Sequence, residues 1–191
     1  MNLPSGALPS KNFYNELETT FNELGEHDVK CNSDYLQYSE PNIIKICATL
    51  VKYLNTNPEN ERNLKDQHCN LLSLWIYEQL FKYFPDEANR LVLSDIFANR
   101  NDLQVDKCLR DVIVLSYDNW KERKDLYDYC VDYHEFNFLN DFSDEKCKEY
   151  EKYIEEKSPL YDKYDSLYMQ AYEKDVFYKK CKYYNPKKRN T

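Results

Sequence analysis

The amino-acid sequence predicts an all-α fold, an irregular multi-helix bundle of about six to eight helices supported by disulfides, and three observations carry that expectation. Apolar residues recur every three or four positions through most of the chain, the spacing of one helix face. Only two glycines, Gly6 and Gly25, occur among 191 residues. Glycine supplies the positive-φ positions of tight hairpins and bulges, so a sheet-rich fold would lack its usual turn chemistry. Seven cysteines are dispersed along the chain and never fall in a Cys-x-x-Cys pair, a distribution suited to long-range cross-links.

Ser10 is placed to cap a first helix, in which Phe13, Leu17, Phe21 and Leu24 recur at helical spacing before Gly25 ends it. Residues 26 to 39 read as a polar loop carrying Cys31. From Pro41, a stripe of Ile43, Cys47, Leu50 and Leu54, widened by Ile44 and Val51, predicts a second helix that Asn55 to Pro58 terminates. A third is predicted from Asp66 to Phe84, with Cys69, Leu72, Ile76, Leu80 and Phe84 on one side and Leu71 and Trp75 adjoining. So wide an arc marks a helix packed by more than one neighbour, with Trp75 in the core and not on a ligand platform.

After Pro85, Ala88, Leu91, Val92 and Phe97 fit a less regular helix, and Asn99 to Asp102 a loop. The stretch from Val105 to Glu135 reads as helical through Cys108, Val112, Leu115, Trp120, Tyr127, Cys130 and His134, with a break near Ser116 to Asn119. Ser143, followed by Asp144 and Glu145, starts a helix through Cys147, Tyr150 and Ile154. Ser158-Pro159 is expected to open a separate one, with proline at its first position, through Leu160, Tyr164, Leu167, Ala171 and Cys181. The whole of 1–191 reads as a single helical domain. Within it, an N-terminal subdomain, 10–54, is joined by a linker, 55–65, to a main body, 66–182, and a basic flexible tail, 183–191, follows.

Net charge is −8, and the basic residues between Lys174 and Arg189 leave the preceding body more acidic still. Such a body repels phosphate backbones, so no nucleic-acid partner is expected, and the tail reads as a solvated end. No run approaches the roughly 20 apolar residues that span a bilayer, and Met1 to Ser5 lacks the basic and apolar regions of a secretory signal, so the chain as given reads as soluble.

Chemistry finds little footing. Two glycines, neither in a phosphate-loop setting, exclude the usual nucleotide-binding loops. The absence of closely spaced cysteines argues against zinc ribbons, thioredoxin-like sites and iron–sulfur clusters. His27, His68 and His134 are far apart in sequence, and His68 and Cys69 point about 100° apart on a helix, unable to share one metal. No catalytic residue, metal or cofactor is therefore expected. Glu149, Glu151, Glu155 and Glu156 alternate with Lys146, Lys148, Lys152 and Lys157 as a salt-bridged solvent face, not as paired acid–base machinery. The tyrosines Tyr127, Tyr129 and Tyr133, and Tyr161, Tyr164, Tyr168 and Tyr172, read as core and scaffold, with ring bodies buried at helix contacts.

Cys31, Cys47, Cys69, Cys108, Cys130, Cys147 and Cys181 are all disulfide candidates, and their odd number leaves one thiol free or paired with another chain. The best single pair is Cys31 with Cys47, because a short helix–loop–helix return closes that loop for about 3 kcal/mol of unfolded-state restriction.

Four blocks carry a resemblance. Leu8 to Tyr14, Cys69 to Leu80, Trp120 to Tyr133 and Tyr153 to Tyr161 resemble, in order, blocks of the malaria-parasite PIR multigene family, in its Plasmodium vivax VIR branch. The resemblance implies a variant surface antigen exported to the infected red cell, serving immune evasion and adhesion to a host cell-surface receptor. Its partners would be that receptor or antibodies, and the domain a monomer. Any membrane attachment would come through a transmembrane segment absent from this chain, which would then be a trimmed ectodomain, the alternative being a naturally short, soluble member of the family. Contacts that vary to escape antibodies would lie in loops such as 26 to 39, 55 to 65, 99 to 104 and 136 to 142. The resemblance also strengthens the disulfide reading.

Two rivals come from other classes: a soluble intracellular adaptor or scaffold with reduced cysteines, and a Cys-dependent enzyme with one unusually reactive thiol near a histidine. A count of free thiols in the folded, unreduced chain separates the first from the exported antigen. Near one per chain is the outcome expected here, whereas a count near the full seven cysteines supports the adaptor.

Overall fold

The computed structural model describes residues 8–24, 41–55, 68–86, 88, 90, 120–136 and 144–168. Among them are five helices, α1 (Pro9–Glu23), α2 (Pro41–Asn55), α3 (His68–Tyr83), α4 (Trp120–Phe136) and α5 (Asp144–Tyr168), and no strand. The all-α class holds. The expected count of six to eight extends into segments outside the described residues, as do the loops at 26–39 and 99–104 and the break near 116–119.

The chain divides into two compact units, one of Met1–Lys11 with Tyr117–Thr191 and one of Asn12–Ser116. In the second, α2 packs against α3. Helix α3 is buried without interruption from Asn70 to Tyr77, more than two turns, so all its faces are covered there, as its broad apolar arc predicts. Ile43, Ile46, Leu50 and Val51 of α2 and Leu17 and Phe21 of α1 are buried with it.

Trp75 is fully buried. Its ring meets that of Phe21 edge-on at 5.9 Å, and its indole N–H donates to Glu18 Oε1 at 3.1 Å. The amide of Gln79 donates to the same oxygen. One carboxylate thus satisfies two donors from buried side chains of α3. Further polar groups in α2 and α3 turn inward on their own helices: the hydroxyls of Thr49 and Ser73 donate to the carbonyls of Lys45 and Cys69, each at 2.8 Å. Past the end of α3, Arg90 lies over the Phe81 ring at 4.2 Å and donates to the carbonyls of Phe84 and Pro85. A cation there fits both the free carbonyls and the negative end of the helix dipole.

In the first unit α4 packs against α5. Their core joins Leu8, Leu126, Tyr129, Cys130, Tyr150, Tyr153, Tyr161 and Tyr164, with Tyr133, Ile154 and Leu160 at its margin. Two expectations are corrected here. Ser158-Pro159 does not open a new helix: α5 runs unbroken from Asp144 to Tyr168 with Pro159 inside. Pro159 and Glu155 are both exposed, so water can reach the carbonyl that a proline N–H would have met. Burial of Tyr150 and Tyr153 before the proline and of Tyr161 and Tyr164 after it holds both halves on one core. Nor does Ser10 cap α1 through its own side chain. Pro9 takes the first helical position, where its missing N–H costs nothing, and Ser10 lies inside the turn.

Replacing Trp75 by alanine is expected to lower unfolding free energy by about 3–5 kcal/mol. The exposed change Glu16→Ala should stay within about 0.5 kcal/mol. Urea unfolding followed by far-UV circular dichroism measures both.

Candidate functional site

The most elaborated polar centre in the described residues is built around Asp132, which is 0% exposed. Helix α4 places it three residues after Tyr129, within a run buried from Tyr129 onward, so its helical position directs a carboxylate inward. Oδ1 accepts the backbone N–H of Ser10 at 2.8 Å. Oδ2 accepts the Ser10 hydroxyl at 2.8 Å and the Tyr153 hydroxyl at 2.9 Å. Ser10 N–H is one of the donors that a helix start leaves without an intrahelical acceptor. A carboxylate from α4, 122 residues away in sequence, supplies the cap that no local side chain makes.

Opposed forces act on this carboxyl. Burial pushes it up to about 7 from its ordinary value near 4, the donors from Ser10 and Tyr153 pull it back, and the nearby charge of Asp128 adds to the rise. Burial also raises the Tyr153 phenol far above its usual range, helped by Asp132. Tyr129 and Tyr150 rise too, burial again being the main cause. Around the hub the rings pack at angles, Tyr129 lying 5.9 Å from Tyr133, 6.1 Å from Tyr153 and 6.5 Å from Tyr161, within the range of favourable aromatic pairs. Having no exposed surface, Asp132 cannot meet a substrate. What it does is position: it draws the first turn of α1, α4 and α5 to one point.

Nearer the surface, Lys163 bridges to Glu122 at 2.8 Å and the Tyr164 hydroxyl donates to the same carboxylate at 3.2 Å. The lysine's hydrogen bond is the main reason Glu122 is held below the usual carboxylate range. Lys157 reaches Asp125 at 3.5 Å. These α5 lysines therefore pair across to α4. Lys148, Glu151, Lys152, Glu155 and Glu156 lie on the exposed side of α5, so the charged stretch is a solvent face there.

Among the predicted core tyrosines, Tyr127, Tyr129, Tyr161 and Tyr164 are buried and Tyr133 is partly so; Tyr172 and the side chain of Tyr168 fall outside the described residues. Cys47 is buried in α2, Cys69 lies in the first turn of α3 and Cys130 is buried in α4, and each is disulfide-bonded. Cys147, exposed on α5, is a free thiol. Cys31, Cys108 and Cys181, and with Cys31 the expected Cys31–Cys47 bond, lie outside the described residues, as do His27 and the side chains of His68 and His134. No group of three or more His, Cys, Asp or Glu able to hold a metal occurs among the described residues, and none of their helices is long and apolar enough to cross a membrane.

Sequence reading missed Asp132 and Glu18. The available signal was an acid set inside an apolar stripe: Asp132 follows Cys130-Val131 and precedes Tyr133, and Glu18 adjoins Leu17 in the face that continues to Phe21.

Taken together, these features define a class: a helical chain whose best-built polar centre is closed to solvent and ties helices to one another. The model of the Plasmodium vivax Vir protein family matches residues 8–190, and the chain belongs to that family. Membership points to a variant antigen of Plasmodium. No curated protein and no solved structure matches the chain.

Tyr153→Phe, which removes one donor from a buried carboxyl, is expected to cost about 1–3 kcal/mol, and Asp132→Ala, which leaves three donors without their acceptor, more than that. Urea unfolding of the two variants beside the native chain tests the order.

Proposed function

We propose that this chain is the ectodomain of a variant surface antigen of malaria-infected red cells, acting in immune evasion and in adhesion to a host cell-surface receptor. The observation that carries this reading is the family match across residues 8–190. The structure supports it in two ways. Disulfide-bonded Cys47, Cys69 and Cys130 suit an oxidising, exported setting. Among the described residues the aromatic side chains are mainly buried, which leaves recognition there to the outside of the helices. The proposed contact segments remain 26 to 39, 55 to 65, 99 to 104 and 136 to 142; apart from Asn55 and Phe136, which close α2 and α4, they lie outside the described residues. No catalysis and no cofactor is part of this proposal, and the domain acts as a monomer.

The test is a screen of the folded, oxidised chain against an array of human endothelial and blood-cell surface ectodomains, with a reduced and alkylated sample as control. Saturable binding that is lost on reduction is the expected result. Absence of binding above background, from a sample shown by circular dichroism to be folded, removes adhesion from the proposal and leaves exposure to antibodies as the role.

A further inference from the structure

We propose that Cys130 is bonded to Cys181, closing a covalent loop around α5 and leaving Cys147 as the odd thiol of the chain. Cys130 is disulfide-bonded and has no exposed surface. It is packed in the tyrosine core, every member of which belongs to the unit formed by Met1–Lys11 and Tyr117–Thr191. A disulfide holds two Cα atoms within about 7 Å, so the cysteine bonded to Cys130 comes up against that same core. The unit contains Cys130, Cys147 and Cys181 and no other cysteine.

Cys147 is ruled out on two grounds. It is a free thiol, exposed on α5, and the register of the helix pair keeps it away from Cys130. Glu122 meets Lys163, Asp125 meets Lys157 and Asp132 meets Tyr153, so α5 runs antiparallel to α4 and the level of Cys130 falls near Ile154. From there Cys147 lies about seven residues back along α5, roughly 10 Å at ~1.5 Å per residue, beyond the span of a disulfide. Cys181, which lies outside the described residues, is the cysteine that remains. The count closes in Asn12–Ser116 as well: that unit holds Cys31, Cys47, Cys69 and Cys108, an even set in which Cys47 and Cys69 are both bonded.

The whole of α5 lies between Cys130 and Cys181 in sequence. The bridge therefore ties the chain beyond α5 back to α4, adding a covalent closure to the tyrosine contacts that hold α5 on either side of Pro159. It forms by exchange with an oxidised dithiol carrier. The carrier's disulfide is reduced to two thiols as the Cys130–Cys181 bond forms, and the two cysteine protons pass to its sulfurs. This pairing is independent of receptor binding.

The experiment is a disulfide map of the full chain, folded in a mixture of reduced and oxidised glutathione, shown to be helical by circular dichroism, alkylated without reduction and cleaved after glutamate. Such cleavage puts each cysteine in a separate peptide, with Cys130 in 123–135, Cys147 in 146–149 and Cys181 in 174–191. Mass spectrometry is expected to find the first and third of these joined and the second alkylated. Cys147→Ser, a change at an exposed position, should leave the joined pair intact and lower the count of alkylated thiols from near one per chain to near none. Alkylated Cys130 or Cys181, either of them joined to a different cysteine, or a Cys147→Ser chain without the joined pair would each overturn the assignment.

Discussion

Withdrawing one carboxyl from water is the constraint on which the unit formed by Met1–Lys11 and Tyr117–Thr191 turns. An isolated buried carboxylate costs far more than a folded domain has to spare, so Asp132 is tolerable only where donors converge on it or a proton neutralises it. The chain meets that condition with Ser10 and Tyr153, residues drawn from helices far apart in sequence. Each donor has its own need: Ser10 N–H lies at a helix start without an intrahelical acceptor, and the Tyr153 hydroxyl sits on a largely buried ring. The cost of burying one group is thereby turned into a rule of assembly, since the first turn of α1, α4 and α5 are all satisfied in one arrangement. Buried polar networks specify structure in this way when every member is partnered.

Tyrosine explains how such a centre is housed. A core of aliphatic side chains would offer Asp132 no donor, whereas Tyr153 provides apolar area and a hydroxyl from the same side chain. The surrounding rings of Tyr129 and Tyr161 cost little conformational freedom to immobilise and pack at angles. In the unit formed by Asn12–Ser116 the same solution recurs with other residues: Trp75 brings bulk and one N–H, and Glu18 receives it together with the amide of Gln79. In both units a long-range carboxylate satisfies donors that an apolar interior leaves without water.

Much of the helical framework was legible because it rests on periodicity. Phe13, Leu17 and Phe21, or Ile43, Cys47 and Leu50, repeat at spacings that a helix alone converts into one buried face, and the buried side chains follow that pattern. What failed to show depends on partners distant in sequence. Ser10 looks like a local cap because local rules see the residues after it and not a carboxylate 122 positions away. Ser158-Pro159 looks like a boundary because proline removes a helical hydrogen bond, and only the tyrosines on either side, bound to the same core, show why α5 continues. Likewise Lys157 reads in sequence as a partner for acids on its own helix, yet packing brings Asp125 of α4 within its reach, as it brings Glu122 to Lys163. Asp132 was hidden for a related reason: its signal, an acid beside Cys130-Val131 in an apolar stripe, is faint amid alternating acids and tyrosines, and the donors that mark it come from α1 and α5.

For a variant antigen this division of labour has a physical consequence. Exposed positions such as Glu16 of α1 or Lys152 and Glu156 of α5 can change charge and shape at a cost within about 0.5 kcal/mol, whereas the groups converging on Asp132 are coupled, so that losing any one of them leaves the others incorrectly paired. Solvent meets the first set of residues, and the folding equilibrium is governed by the second. Replacing those exposed residues therefore leaves intact the interior polar contacts that hold the first turn of α1, α4 and α5 together.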